Sequence, residues 1–421
     1  MNKTFYGWWI TAAAFCTFGI AVGIPYYGMP FFYDYYKSSY GWTTAATTLG
    51  FPIGALLTLW VGPVIIPRFS QRKLIMAGTF LTFVAFMGWS RMGGNLIWYY
   101  FLWFLYTMGY MLSGPIPHQV IVSHWFKKYR GTAMGICYVG VGVFAAFSSK
   151  LVKWVTEAYN FHIALIVVGC IMFLAWPLAL FVLRDRPSEM GLYADGSPTP
   201  PAHANVATQT LGGLLGQWNF WLLLIGSICS IGAIGSVNFH MKLAFREQGF
   251  TDQNQLNAVW SDAQFWISIT SIAGRLLIGR FSDIFPMKYV MTVTYFIVAG
   301  AIPMLLMVTP GSNPYAFAVI FGFAMGADYM LIPLMAAKQF GVNSLATAMA
   351  IILPVNTIGQ TWVPQMVSVL HDHYHSYEIA MNYVLGLAML GAIAIALLPK
   401  KGVEDRAEQA PIAAKSPLPV R

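Results

Sequence analysis

Twelve long apolar runs separated by short polar breaks make up nearly the whole chain, and that pattern excludes most soluble folds. A lipid hydrocarbon core about 30 Å thick needs about 20 apolar helical residues to cross it. The runs fall near residues 6–30, 43–66, 73–92, 97–122, 131–152, 161–183, 218–243, 255–280, 288–309, 314–337, 344–369 and 376–398. Gly and Pro recur inside them, which membrane helices tolerate because neighbouring helices re-satisfy the freed backbone groups. Only 9% of the residues are charged, against about 25% in a typical soluble domain, too few to coat a water-facing surface. The pattern predicts an all-α membrane protein with twelve transmembrane helices. The first run starts almost at once and lacks a small-residue cleavage site, so it reads as a spanning helix.

One break differs from the rest. The stretch "RDRPSEMGLYADGSPTPPAHANVATQTLGG" (184–213) is rich in Pro, Gly, Ser and Thr and has no apolar period. It divides the chain into an N-terminal six-helix half (1–183), a linker (184–217), a C-terminal six-helix half (218–398) and a polar tail (399–421) expected to lack fixed structure. With the N-terminus placed inside, seventeen of the 24 Lys and Arg fall in inner loops or the tail and six in outer loops. This asymmetry predicts a multi-pass protein of the cell (inner) membrane with both termini cytoplasmic. It also accounts for the +9 net charge, which is spread over short loops and not gathered on a nucleic-acid-binding face. The four cysteines lie in apolar runs without a ligand pattern, and "HDHYHS" (371–376) is too short a cluster to imply a metal site. No phosphate loop, Ser-His-Asp arrangement or HExxH motif is present, so no cofactor and no catalytic machinery are expected.

The halves echo each other. "IIPRFSQRKLIM" (65–76) follows the second run and "LIGRFSDIFPMKYVM" (277–291) follows the eighth, with a shared "RFS" 212 residues apart. Duplicated halves with matching inner loops point to a pseudo-symmetric transporter whose site lies between them. At these residues the chain resembles the major facilitator superfamily, which carries a glycine–aspartate–basic loop after helices two and eight. The second copy keeps Gly279 and Asp283; the first has Pro63 and Pro67, followed by Arg68, so its aspartate is missing. The resemblance assigns Gly279, Asp283 and Arg68 to gating at the inner loops. "YGWW" (6–9), "HWFKKYRGTAMGICYVGVG" (124–142) and "RDRPSEMGLYADG" (184–196) are similar to the monocarboxylate transporters and their bacterial relatives, including the oxalate:formate antiporters.

That resemblance implies alternating-access transport of a small carboxylate by one chain in a lipid bilayer. It places the substrate-binding arginine of helix eight on Arg275, a cavity tyrosine on Tyr329, and Asn356 where the oxalate:formate relatives carry a second buried cation. One buried cation suits a monoanion of lactate or pyruvate size better than a dianion. Tyr26 and Tyr27 are expected to face the cavity from helix one, near the position of a lysine in the animal transporters. His118, beside Pro117, and His240, near the outer end of helix seven, are further candidates for cargo contact or proton transfer.

The physical case for Arg275 stands beside the resemblance. Arg275 lies eight residues from Asp283, about 12 Å along a helix and so near the bilayer midplane. A charge there costs at least about 2.5–3.5 kcal/mol on insertion. A guanidinium stays protonated and binds a carboxylate through two parallel hydrogen bonds, which gives the charge a use. Asp328, ten residues from Lys338 on helix ten, is the only acid at similar depth. It is expected to pair with Arg275, to be released by an incoming anion, and then to take a proton. The family's own acid, one turn before the arginine, is Ser271 here. The expected function is therefore proton-coupled symport of monocarboxylates. The alternatives are anion:anion antiport of the oxalate:formate type, a membrane-embedded enzyme using His118 and Asp328, and a transporter-like receptor.

Overall fold

The computed structural model describes residues 5–197, 208–310, 314–404 and 406. Among them there is no strand. Twelve long helical stretches follow one another: α1 (7–40), α2 (Ala46–Arg68), α3 (Gln71–Ser90), α4 (96–125), α5 (Arg130–Ala158), α6 (Phe161–Val182), α7 (Trp218–Glu247), α8 (Gln253–Ile284), α9 (Met287–Leu306), α10 (Tyr315–Phe340), α11 (Val342–Tyr374) and α12 (Tyr377–Ala396). Ten are long and apolar enough to cross a membrane. The other two are α4, which breaks at Gly114 (φ −88°, ψ −140°) so that Pro115 starts a second segment, and α8, which carries Arg275, Arg280 and Asp283. Several helices outrun the apolar stretches that announce them. Polar caps fix where they begin: Asn95 Oδ1 accepts from Ile97 N, Asn160 Oδ1 from Ile163 N and Asp252 Oδ2 from Gln255 N, at 2.8–2.9 Å.

Close crossings depend on glycine. In α1 the backbone widens to a π-turn over Gly19–Gly23, and both terminal glycines press on α5. A Cβ on Gly23 would lie 2.7 Å from the Val141 carbonyl. On α5, Gly131 and Gly135 face α8: a Cβ on Gly135 would stand 2.4 Å from the Arg275 carbonyl oxygen, and one on Gly279 would stand 2.7 Å from that of Gly131. Such small-residue pairs let helix backbones touch where lipid offers no hydrophobic drive for association.

The buried apolar side chains form three clusters. One runs continuously through both sets of six helices at the end bearing the linker, from Ile10 and Trp125 to Met335 and Phe340. The other two lie at the opposite end and stay separate, one confined to the first six helices and one to the last six. The two halves therefore share a core at the linker end and diverge at the other, leaving a cleft that opens away from the linker.

The linker and tail are more structured than their composition suggests. Residues 198–207 and 407–421 lie outside the described ones. The linker forms short turns over Pro187–Met190 and Ala194–Gly196, and Asp195 accepts from the backbone N–H groups of Lys127 and Lys128 at 3.0 and 2.8 Å. The start of the tail packs on the bundle instead of trailing away. Gln339 Nε2 donates to the Pro399 carbonyl (2.8 Å), and both Nη groups of Arg130 donate to Glu404 at 3.0 Å.

Candidate functional site

The site lies where α1, α4 and α5 of the first half face α8 and α10 of the second. Arg275 sits on α8 two turns from Asp283 and is half-buried. Its Nη1 lies over Gly142 of α5, where a Cβ would come within 2.9 Å and push the guanidinium aside. Its Nε is buried without a hydrogen-bond partner, and no carboxylate among the described residues pairs with it. The ionisable groups that feel its charge are the phenols of Tyr27 and Tyr138.

Aromatic rings surround it. Tyr26 packs 5.2 Å from Tyr27, 5.2 Å from Phe51 and 6.0 Å from Tyr110, measured between ring centroids. Tyr329 reaches this group from α10, interacting electrostatically with Tyr26, Tyr110 and Tyr27. Tyr138 stands edge-on to Phe18 (5.2 Å, 85°), and its hydroxyl accepts a hydrogen bond from Gln119 Nε2. Tyr26, Tyr27 and Tyr329 thus form one group, and Tyr27 brings it within electrostatic reach of Arg275. Tyr110, Tyr138, Phe51 and Gly142 join them unannounced. One signal was available: Gly135, Tyr138 and Gly142 recur at helical spacing, which puts them on one face of α5.

The expected ion pair between Arg275 and Asp328 is absent. Successive helical residues point about 100° apart, so with Tyr329 turned to the cleft, Asp328 turns into the second half. There it is fully buried beside Tyr295 of α9 and Ser230 of α7. The Tyr295 and Ser230 hydroxyls face the carboxylate and are the hydrogen-bonding groups nearest to it, although none of these contacts has full hydrogen-bond geometry. Asn356 belongs to the same interior: its Oδ1 accepts from Ser227 of α7 at 2.9 Å, and its Nδ2 is buried and unpaired. Both side chains point into the second half and not toward Arg275.

Both candidate histidines tie helices together. His118 is fully buried and stacked on Phe18 (4.9 Å), with Nδ1 bonded to the Gly114 carbonyl and Nε2 to Thr17 Oγ1. It occupies the freed carbonyl at the α4 break. His240 bonds the Pro364 carbonyl of α11 (2.9 Å) and the Tyr377 hydroxyl of α12 (3.3 Å).

At the linker end, Asp283 of α8 caps the start of α5, accepting from Gly131 N (2.7 Å), Thr132 N (2.9 Å) and Thr132 Oγ1 (2.5 Å). A carboxylate at a helix N-terminus meets unpaired N–H groups and the positive end of the helix dipole. Gly279 lies one turn away, against Gly131. Among the described residues the first-half copy has no such bond: Arg68 is exposed beside a cavity of about 270 Å³ that also touches Asn343 of α11.

A membrane bundle in two six-helix halves, with a polar and aromatic site between them, is the build of a membrane carrier. The chain belongs to the Major Facilitator Superfamily, whose profile matches residues 114–364. It is similar to "Monocarboxylate transporter 10" of Rattus norvegicus, 23% identical over 346 residues, which covers 79% of this chain and 65% of that protein. The chain thus spans about 65% of the length of that relative. It is also similar to the "3-(3-hydroxy-phenyl)propionate transporter" of Escherichia coli (strain K12), 24% identical over 351 residues, 79% of this chain and 78% of that protein. The "Hexuronate transporter" of the same strain is 24% identical over 244 residues, 54% of this chain and 55% of that protein. Among solved structures, FucP in the outward conformation matches 92% of this chain and 98% of its own, with a TM-score of 0.71 and 11% identity. The human organic anion transporter MFSD10 matches 92% and 99%, with a TM-score of 0.67 and 10% identity. These two carry the fold alone. Family and relatives place the protein among transporters and not among enzymes.

Proposed function

We propose that the protein carries small organic monocarboxylates across the cell membrane by alternating access, together with a proton. The observation that carries this reading is Arg275, a permanent cation held between the two halves without an acidic partner. In a site of low dielectric its most favourable partner is a carboxylate that takes two parallel hydrogen bonds. One cation balances one negative charge, which favours monoanions. The relatives are named for acids: monocarboxylates, a phenylpropionate and hexuronate.

In this reading the chain is organised as the halves 1–183 and 218–398 joined by the linker 184–217, with the linker and both termini cytoplasmic and the cleft facing outward. Arg275 holds the carboxylate, while Tyr329, Tyr26 and Tyr27 line the space around it. Asp328 takes the proton without touching Arg275. It shares a helical turn with Tyr329, so cargo on one face of α10 and charge on the other bear on the same segment. A charged Asp328 among Tyr295 and Ser230 is costly to bury; protonation removes that cost and lets α7, α9 and α10 repack. Asp283, Gly279 and Arg68 belong to the inner gate.

The test is a thermal-shift screen of purified protein against small mono- and dicarboxylates at two pH values, repeated with Arg275→Ala. Ligand stabilisation follows occupancy. Monocarboxylates are expected to raise the melting temperature of the wild-type protein and to lose that effect in the variant. Stabilisation that survives Arg275→Ala removes the arginine from the site. In proteoliposomes, uptake driven by an inward pH gradient without internal anion separates symport from exchange.

A further inference from the structure

A cavity of about 570 Å³ lies at the linker end, between the two halves. That size falls within the roughly 300–1,000 Å³ usual for small-molecule sites. Its wall is strongly basic. Lys127, Lys128 and Arg130 come from the first half, at the turn into α5. Lys288 comes from the start of α9, Lys338 from α10, and Lys400 and Lys401 from the start of the tail. Against these seven cations stand three acids, Asp195, Asp283 and Glu404, which leaves four positive charges in excess. The acids are already engaged. Asp283 caps α5, both oxygens of Glu404 accept from Arg130, and Asp195 accepts from the backbone of Lys127 and Lys128. Lys128 and Lys400 rest on ring faces, 5.3 Å from the centroid of Tyr129 and 5.7 Å from that of Tyr289. Lys288 is half-buried and has no hydrogen bond or ion pair among the described residues. Like charges gathered around one hollow repel one another and attract an anion.

The rest of the wall decides which anion. Ile284 and Phe285 line the same cavity at the turn from α8 to α9, and they are 58% and 56% exposed. Cationic and apolar surface therefore meet at the ends of the spanning helices, where a bilayer changes from hydrocarbon to headgroups. A soluble phosphate ester would use the lysines and leave Ile284 and Phe285 uncovered. Basic hollows between membrane helices hold the headgroups of anionic lipids. We propose that this cavity binds the phosphate-bearing headgroup of an anionic glycerophospholipid, with the phosphate held by the lysines and the acyl chains leaving over Ile284 and Phe285. Lysine meets phosphate as a point charge and needs no fixed fork. Lys128 belongs to the first half, and Lys288 and Lys400 belong to the second. The site is whole only while the halves are closed at this end, so a bound lipid favours that arrangement. The proposal is independent of the carboxylate reading of Arg275.

The experiment measures binding to the purified full chain in detergent by native mass spectrometry. The probes are phosphatidylglycerol, phosphatidylcholine and the soluble headgroup glycerophosphoglycerol. Phosphatidylcholine carries the same phosphate beside a compensating cation. Phosphatidylglycerol is expected to bind more tightly than either of the others. Lys128→Gln/Lys288→Gln is expected to weaken its binding roughly 30-fold, since each lysine beside an anionic headgroup contributes about fivefold. Lys400→Gln, expected to weaken binding about fivefold, serves if the double variant fails to fold. Lys73→Gln/Arg184→Gln removes the same charge from the linker end but outside the cavity, and is expected to leave binding unchanged. Equal affinity for phosphatidylglycerol and phosphatidylcholine, or an equal loss in the two double variants, overturns the site. Glycerophosphoglycerol binding as tightly as the lipid overturns the lipid assignment in favour of a soluble phosphate ester.

Discussion

Asp283→Asn tests how the linker end is held shut. The Asp283 carboxylate takes three hydrogen bonds from the first turn of α5, and those bonds join the two halves of the molecule. The amide keeps one oxygen and turns an NH₂ group toward N–H donors, so either Gly131 N or Thr132 N loses its acceptor. A hydrogen bond to a charged group contributes about 1.5–3 kcal/mol, against about 0.5–1.5 for a neutral one. The charge at the helix N-terminus adds about 0.3–1 kcal/mol. Allowing for water reaching this half-buried end, the substitution costs the closed arrangement about 2 kcal/mol, which shifts its ratio to the open one roughly 30-fold. Spin labels at positions 128 and 284, on opposite sides of the linker-end seam, report the change by pulsed electron resonance in nanodiscs. The expected result is a second, longer distance population in the variant. An unchanged distance distribution, with the fold intact by melting, refutes the view that this carboxylate holds the halves together.

Gly135→Val should produce the same opening by steric means, because its Cβ would meet the Arg275 carbonyl at 2.4 Å, and overpacking of this kind costs about 1–3 kcal/mol; the same labels check it. Removing Glu404 leaves Arg130, whose side chain is 9% exposed, without its bidentate partner. Glu404→Ala is expected to lower unfolding stability by about 1–3 kcal/mol. A double-mutant cycle with Arg130→Ala should then show clear non-additivity in detergent unfolding. Asp328→Asn should abolish accumulation driven by a pH gradient while leaving carboxylate affinity nearly unchanged, since Asp328 faces away from the cleft; proteoliposome uptake and direct binding separate the two effects.

What could be read along the chain were properties that each segment carries by itself. Apolar length gave the helices their existence and order. Lys and Arg counts gave an expected orientation, and spacing from Asp283 gave an expected depth for Arg275. Depth follows from counting residues at a fixed rise, so Arg275 and Asp328 could both be assigned an expected depth near the middle of the bundle. Direction could not be counted in the same way. Which face of a helix meets the cleft depends on how twelve helices pack, and one step along the chain turns a side chain by about 100°. Tyr329 and Asp328 are neighbours in sequence, yet one faces the cleft and the other the interior of the second half. The histidines show the same limit: beside Pro117, His118 reads either as a cargo or proton group or as a partner for a freed carbonyl, and the break at Gly114 supplies that carbonyl. The packed start of the tail depends on Arg130, 274 residues away, and no local feature of residues 399–404 announces it. The sequence by itself therefore determined a twelve-helix membrane protein with a cation at mid-depth. Only the tertiary structure decided that this cation stands apart from Asp328 among tyrosines of both halves, because membrane crossing is set by the composition of one segment and side-chain company by the contact of many.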